Sequence, residues 1–344
     1  MKRFFLILIC CSTLLYGCGD SKKNEYYDNA LKSMEAGDYE EAVGLLQDSI
    51  EAEARLPESY RAQGLSYMKM GDYASAIASF SRSVNSLEGS NPDFKKDVMY
   101  YLAEARISYG QIEEAIDVYT DILKLNEDVQ SFILRGKLYL EKEDNDKAKE
   151  DFSKALEKSR DYDLYINIYN IYEEHNMTVE GSEYLEQALQ IKPQKAGDYY
   201  QRGRVYYYLK DYESTKDELT KAIKEGDRDA VLLLGKVYIA LEDASSARAM
   251  YQECLSDPEE QAKAYNGLAM CDIYEKNYDS ALLNIEKGLE CQDEEEKQSL
   301  LFNEIVAYEY KLDFETAKQK MSAYLELYPG DEAAVRENEF LQSR

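Results

Sequence analysis

The sequence has no tryptophan, one histidine and five prolines in 344 residues, and each scarcity removes options. One histidine, His175 in the turn-like stretch EEHNM, cannot build a histidine-rich metal site. A Ser–His–Asp arrangement would have to use that same residue. No Walker loop, G-x-G-x-x-G, H-E-x-x-H or C-x-x-C pattern occurs. The acidic stretch EDNDKAKED at 143–151 lacks the glycine and the terminal glutamate spacing of an EF-hand loop. Positive charge is also short: 41 basic against 68 acidic residues leave a formal charge of −27. Phosphate backbones and anionic lipid surfaces repel such a chain, so nucleic acid is not an expected partner. No catalytic residue, cofactor or metal is expected.

Apolar runs are short everywhere except at the start. MKRFFLILICCSTLLYGCGD places Lys2 and Arg3 before an apolar run from Phe4 to Tyr16. The run is too short to span a bilayer comfortably and has the layout of an export signal. Leu15-Tyr16-Gly17-Cys18 resembles the lipobox of bacterial lipoproteins, with Tyr16 bulkier than usual. That resemblance implies a signal peptide over 1–17, removed by cleavage, with palmitate-type acylation of Cys18 and a short tether over 18–23. Two acyl chains anchor stably where one does not, so the expected location is a bacterial cell membrane, on its extracytoplasmic side. Losing Lys2 and Arg3 but no acid would move the charge from −27 to −29. Of the six cysteines, Cys254, Cys271 and Cys291 would stay as thiols. A Cys254–Cys271 bond is conceivable, but a chain with a large core has no need of it, and buried free thiols are expected.

What the sequence has in abundance is itself. GDYEEAVGLL at 37–46 returns as GDYASAIASF at 71–80. Aligning on the small residue of that phrase gives Ala42, Ala76, Ala115, Ala148, Gly181, Thr215, Ala247, Ala281 and Ala317. The spacing is close to 34 residues, and calling this small residue position 20 numbers each unit. Position 8 is small in most units (Ala30, Gly64, Ala103, Gly136, Gly203, Gly235, Ala269) and position 24 is large throughout, from Leu46 and Phe80 to Tyr251 and Met321. Positions 4, 7, 8 and 11 form one stripe of a first helix, and positions 20, 24 and 27 one stripe of a second. Small residues let the two helices approach while large ones fill the space between them. Helix interiors exclude proline, and Pro57, Pro92, Pro193, Pro258 and Pro329 all fall at or beside unit junctions.

This pattern resembles the tetratricopeptide repeat (TPR), a helix–turn–helix unit of 34 residues. Tyr26, Tyr60, Phe132, Tyr165, Tyr199 and Tyr265 stand where that family usually carries tryptophan. The resemblance implies an all-α fold: a right-handed α-solenoid of about nine TPR units over 24–330, starting near 23, 57, 96, 129, 162, 196, 228, 262 and 298, with a capping helix over 331–344. A Gly/Pro/Asn loop at 86–97 absorbs the one long interval, and the acidic CQDEEEK at 291–297 reads as a solvated turn.

In such arrays positions 5, 9 and 12 of the first helix line a concave groove. Here they are mostly apolar or aromatic, including Leu31, Met34, Ile239, Met270 and Phe302. Part of that excess belongs to packing between neighbouring helices. The groove candidates for partner binding are Tyr27, Arg61, Tyr100, Lys137, Tyr200, Arg204, Tyr207 and Lys236. Tyrosine and arginine combine large buried area with directed hydrogen bonds. The Lys/Asn pairs of chaperone-tail clamps are absent, since Asn170 has Ile166 rather than lysine four residues earlier. The expected function is a membrane-anchored, non-catalytic adaptor holding a protein or peptide partner. A self-associating structural scaffold of the cell envelope is the alternative, and an envelope enzyme working through carboxylates a more distant one.

Overall fold

The computed structural model describes residues 21–87 and 91–344, with side chains placed from Asn24 onward. Cys18 and the rest of the expected leader lie outside the described residues. Nineteen helices and no strand occur among the described residues. They fall into two compact units that divide between Ser159 and Arg160.

The first unit holds four helical hairpins: α1 (Ser21–Ala36) with α2 (Tyr39–Glu51), α3 (Leu56–Lys69) with α4 (Tyr73–Ser86), α5 (Pro92–Ser108) with α6 (Ile112–Leu125), and α7 (Val129–Glu141) with α8 (Asn145–Lys158). The second holds five: α9 (Tyr162–Glu174) with α10 (Thr178–Ala188), α11 (Ala196–Tyr208) with α12 (Tyr212–Lys224), α13 (Asp229–Ala240) with α14 (Ala244–Cys254), α15 (Gln261–Tyr274) with α16 (Tyr278–Glu290), and α17 (Lys297–Tyr310) with α18 (Phe314–Leu327). A last helix, α19 (Glu332–Gln342), packs on α18. Within each unit every helix packs on the next, and first helices also meet first helices, as α3 meets α5 and α13 meets α15. That is the stacking of a solenoid, in which a hairpin buries its stripe only against its neighbours.

The hairpin turn has one chemistry repeated nine times. Position 15 is left-handed in every unit, at Gly37, Gly71, Gly110, Glu143, Asn176, Lys210, Glu242, Lys276 and Leu312. The next amide bonds back to the carbonyl of position 11, as Asp72 N does to Tyr67 O at 2.9 Å and Asp313 N to Tyr308 O at 2.9 Å. This is a Schellman closure of the first helix. The aspartate then starts the second helix: Asp72, Asp144, Asp211, Asp243 and Asp313 accept from the amide three residues on.

The core explains the small–large pattern. Positions 20 and 24 are buried in all nine hairpins. Glycine at position 8 faces the large residue at 24: an added Cβ would stand 2.5 Å from the Phe80 ring at Gly64 and 2.6 Å from the Phe152 ring at Gly136. The fifth hairpin reverses the exchange. Tyr169 takes position 8, and Gly181 at position 20 makes room, since a Cβ there would come within 3.3 Å of the Tyr169 ring.

Two expectations change. The stretch 86–97 is not loop throughout, because α5 starts at Pro92, with Asn91 Oδ1 accepting from Phe94 N at 3.1 Å. Proline suits a first helical turn, where its missing amide is not needed. In the first hairpin the two tyrosines trade places: Tyr26, expected in the core, is 41% exposed, while Tyr27, expected on the groove, is 8% exposed under Arg55.

Candidate functional site

The first helices of the second unit frame an open groove of about 760 Å³. Its floor is apolar: Tyr207 of α11, Leu232 and Ile239 of α13, Met270 of α15 and Phe302 of α17, with Tyr251 of α14 reaching up between α13 and α15. Tyr207, Ile239, Met270 and Phe302 sit at positions 12, 12, 9 and 5, the set that sequence spacing assigns to the inner face. Lys236, Lys263, Glu296, Gln298, Asn303, Tyr324 and Asp331 supply its polar lining.

The polar lining forms two hydrogen-bonded clusters. Asn266 Nδ2 donates to Glu296 Oε1 at 2.5 Å, and Asn303 Nδ2 donates to Asn266 Oδ1 at 2.7 Å. Gln298 Nε2 donates to the Tyr324 hydroxyl at 3.0 Å, and that hydroxyl donates to Asp331 Oδ2 at 2.6 Å. The bond from Tyr324 holds the Asp331 carboxyl below its ordinary range, and the amides of Ala333 and Ala334 add to this. Asp331 thereby caps α19 and fixes it beside the groove. Burial pushes the Tyr324 phenol up to about 12 and raises that of Tyr207.

The eight sequence candidates divide by what their neighbours do with them. In the first unit Tyr27 is buried beneath Arg55, whose guanidinium lies 4.4 Å from the ring centre. Arg61 pairs with Asp97 at 2.7 Å and lies over the rings of Phe94 and Tyr101. The Tyr100 hydroxyl is within 2.6 Å of Ser131 Oγ and donates to Asp128 at 2.9 Å. Lys137 is half-buried and engaged by neighbours. In the second unit Arg204 Nη1 pairs with Asp163 at 2.5 Å, and Tyr200 packs on the core around Leu219. Tyr207 and Lys236 are the two that enter the groove together. Lys236 is exposed and carries no ion pair among the described residues.

Other candidates are absorbed by the fold. His175 Nδ1 is 2.7 Å from the Ile171 carbonyl at the end of α9. Asp144 and Asp151 of the acidic stretch cap α8 and pair with Arg135. No group of three metal-ligating side chains occurs among the described residues. Cys254 and Cys271 are buried free thiols, and burial raises both.

Spacing missed Tyr251, Asn303, Gln298, Tyr324, Asp331 and Glu296. Glu296 belongs to the acidic turn at 291–297, which is not merely solvated since this residue lines the groove. Tyr251 occupies a position that reads as core, shared with Phe80, Tyr119 and Phe152, and nothing in the spacing marks it as groove-lining.

Known proteins are similar to parts of this chain. One tetratricopeptide repeat family model matches residues 27–90 and 61–129, and a second matches 129–162 and 229–256. The chain is 19% identical over 267 residues to a BBSome complex member, a BBS4 homolog of Drosophila melanogaster, covering 77% of this chain and 50% of that protein. The chain thus spans about half the length of the curated relative it matches. The crystal structure of a tetratricopeptide repeat protein from Parabacteroides merdae is similar at 16% identity, over 73% of this chain and 99% of that one, with a TM-score of 0.45. YrrB, a TPR protein with an unusual peptide-binding site, is 26% identical over 55% of this chain and 97% of its own, with a TM-score of 0.35.

Proposed function

We propose that this array of tetratricopeptide repeats is a non-catalytic adaptor that holds a protein or peptide partner in the groove between α11 and α19. The observation that carries the reading is the groove's construction. Side chains from four successive first helices converge on an apolar floor, and two hydrogen-bonded polar clusters and an unpaired lysine line the same groove. Such a surface combines buried apolar area with a few placed polar groups, which is what recognition of a folded or extended segment requires.

The leader reading extends the proposal: cleavage before Cys18 and acylation of its thiol would tether the adaptor to the outer side of a bacterial membrane. The support is the order of charge, apolar run and Gly17-Cys18 in the sequence.

A photo-crosslinking amino acid at Ile239 or Met270, used in native envelopes, tests the groove. A discrete protein adduct at these sites, absent when the probe replaces exposed Glu286, supports the adaptor. Equal labelling at all three sites would refute it. Incorporation of a labelled fatty acid that is lost in Cys18→Ala tests the anchor. Concentration-dependent self-assembly in light scattering, with no adduct to another protein, would favour the scaffold.

A further inference from the structure

α19 carries part of the groove. Asp331 and Ala333, at its start, belong to the groove lining, and Asp331 accepts from Gln298 at 3.2 Å and from the Tyr324 hydroxyl at 2.6 Å. Only Ala334 and Leu341 of the helix are buried, against the apolar cluster of Ile305, Met321 and Tyr324. Its one ion pair among the described residues, Arg336 with Glu332, lies within the helix and is exposed. So small an apolar contact leaves the helix dependent on the polar groups that fasten it to α17 and α18.

One of those fastenings joins two acids. Glu309 of α17, at inner-face position 12, donates a hydrogen bond to Glu337 of α19. A carboxyl can donate only while it is protonated. Glu309 Oε1 is shut off from solvent and has no partner, so ionisation would place a charge where nothing solvates it. Glu337 is the one charged group that acts on Glu309. α15, α16 and α18 also pack on α17, and charges they turn toward it are engaged: Asp279 with Lys311 and Lys320 with Glu304.

Asp331 makes the opposite demand. The Tyr324 hydroxyl and the amides of Ala333 and Ala334 favour its ionised form and hold it below its ordinary 3.8. Its share in docking α19 is present above 3.8 and is lost as pH falls through the lowered value. The share of Glu309 is full below 4.5 and gone once pH has risen through about 7. Mild acid satisfies both.

We propose that α19 is a latch on the groove: a proton held between Glu309 and Glu337 keeps it docked, loss of that proton releases it, and the groove binds its partner tightly only while Asp331 is held in place. This rests on the groove reading above and adds control of that groove by pH.

Amide exchange along 332–342 of the full chain, corrected for the intrinsic rate, tests the latch without a partner. Protection should fall about tenfold from pH 6 to pH 8, as a carboxyl near 7 when docked and 4.5 when free requires. Glu309→Gln should keep protection high at both pH values, because the amide still donates to Glu337 and never ionises. Glu337→Gln should shrink the dependence by removing the like charge. A crosslinking amino acid at Met270 reads the groove: its adduct should weaken by a similar factor from pH 6 to pH 8 and stay constant in Glu309→Gln. Protection that ignores pH, or that falls equally in Glu309→Gln, would overturn the latch. A constant adduct beside falling protection would overturn its control of the groove. No adduct at either pH would overturn the groove reading and that control together, while the exchange result would still decide the latch.

Discussion

Arg135 grips Asp151 through two parallel hydrogen bonds, Nε to Oδ2 at 2.8 Å and Nη2 to Oδ1 at 2.7 Å, linking α7 to α8. Both side chains are largely buried, and Arg135 Nη1 also donates to Thr120 at 2.9 Å. Removing one partner strands the other charge in the interior. Asp151→Ala should therefore destabilise the first unit by about 3–5 kcal/mol, whereas Arg135→Met with Asp151→Leu should be tolerated. Urea unfolding read by amide exchange in α7 and α8 checks both, because repeat arrays need not unfold as one.

Gly64 leaves no room for a methyl group, since the Phe80 ring would stand 2.5 Å from it and that ring is fully buried. Gly64→Ala should cost about 1–3 kcal/mol through overpacking. Phe80→Leu in the same chain should recover part of the loss, as Ala30 with Leu46 already coexist in the first hairpin. A thermal melt in which the double variant is worse than Gly64→Ala would count against this account.

Leu312 occupies the left-handed turn position at φ 62° and is 73% exposed. Its side chain gains little from burial and strains the backbone by about 1–2 kcal/mol. Glycine relieves that strain and gives back about 0.5–1 kcal/mol in chain entropy. Leu312→Gly should thus stabilise the last hairpin slightly, visible as a higher midpoint in denaturant.

Glu309 on α17 is pushed up to about 7, first by burial and then by the neighbouring Glu337 on α19, and one of its oxygens has no partner. A carboxyl raised in the folded state binds a proton that the unfolded chain releases. Its contribution is fully present below the ordinary glutamate value of 4.5 and is lost as pH rises through about 7. Docking of α19 should loosen between pH 5 and pH 8, and Glu309→Gln should flatten that dependence. Amide exchange across 332–342 at the two pH values measures it.

Much of the fold was legible because its rules act within one hairpin. Position 8 against 24, and the aspartate after the left-handed turn, are local contacts that leave a periodic trace. The first-unit groove candidates were not legible for the opposite reason. Whether Arg61 or Tyr100 is available depends on Asp97, Asp128 and Ser131, partners whose presence no periodicity announces. Tyr207 and Lys236 line the groove because they sit at inner-face positions, which spacing does reach. Tyr251 was hidden by sharing its position with core residues such as Phe80, Tyr119 and Phe152, so pattern alone reads it as packing.

The wedge formed by Gly235, Tyr251 and Gly267 has a mechanical side. One aromatic plate is pinched between consecutive hairpins, so the joint between them and the groove's floor are the same few atoms. A segment seated over that joint would touch both hairpins at once and brake their twisting against each other. Loading would then register as slower amide exchange along the facing helices α13 and α15, stiffness delivered by cargo rather than by sequence.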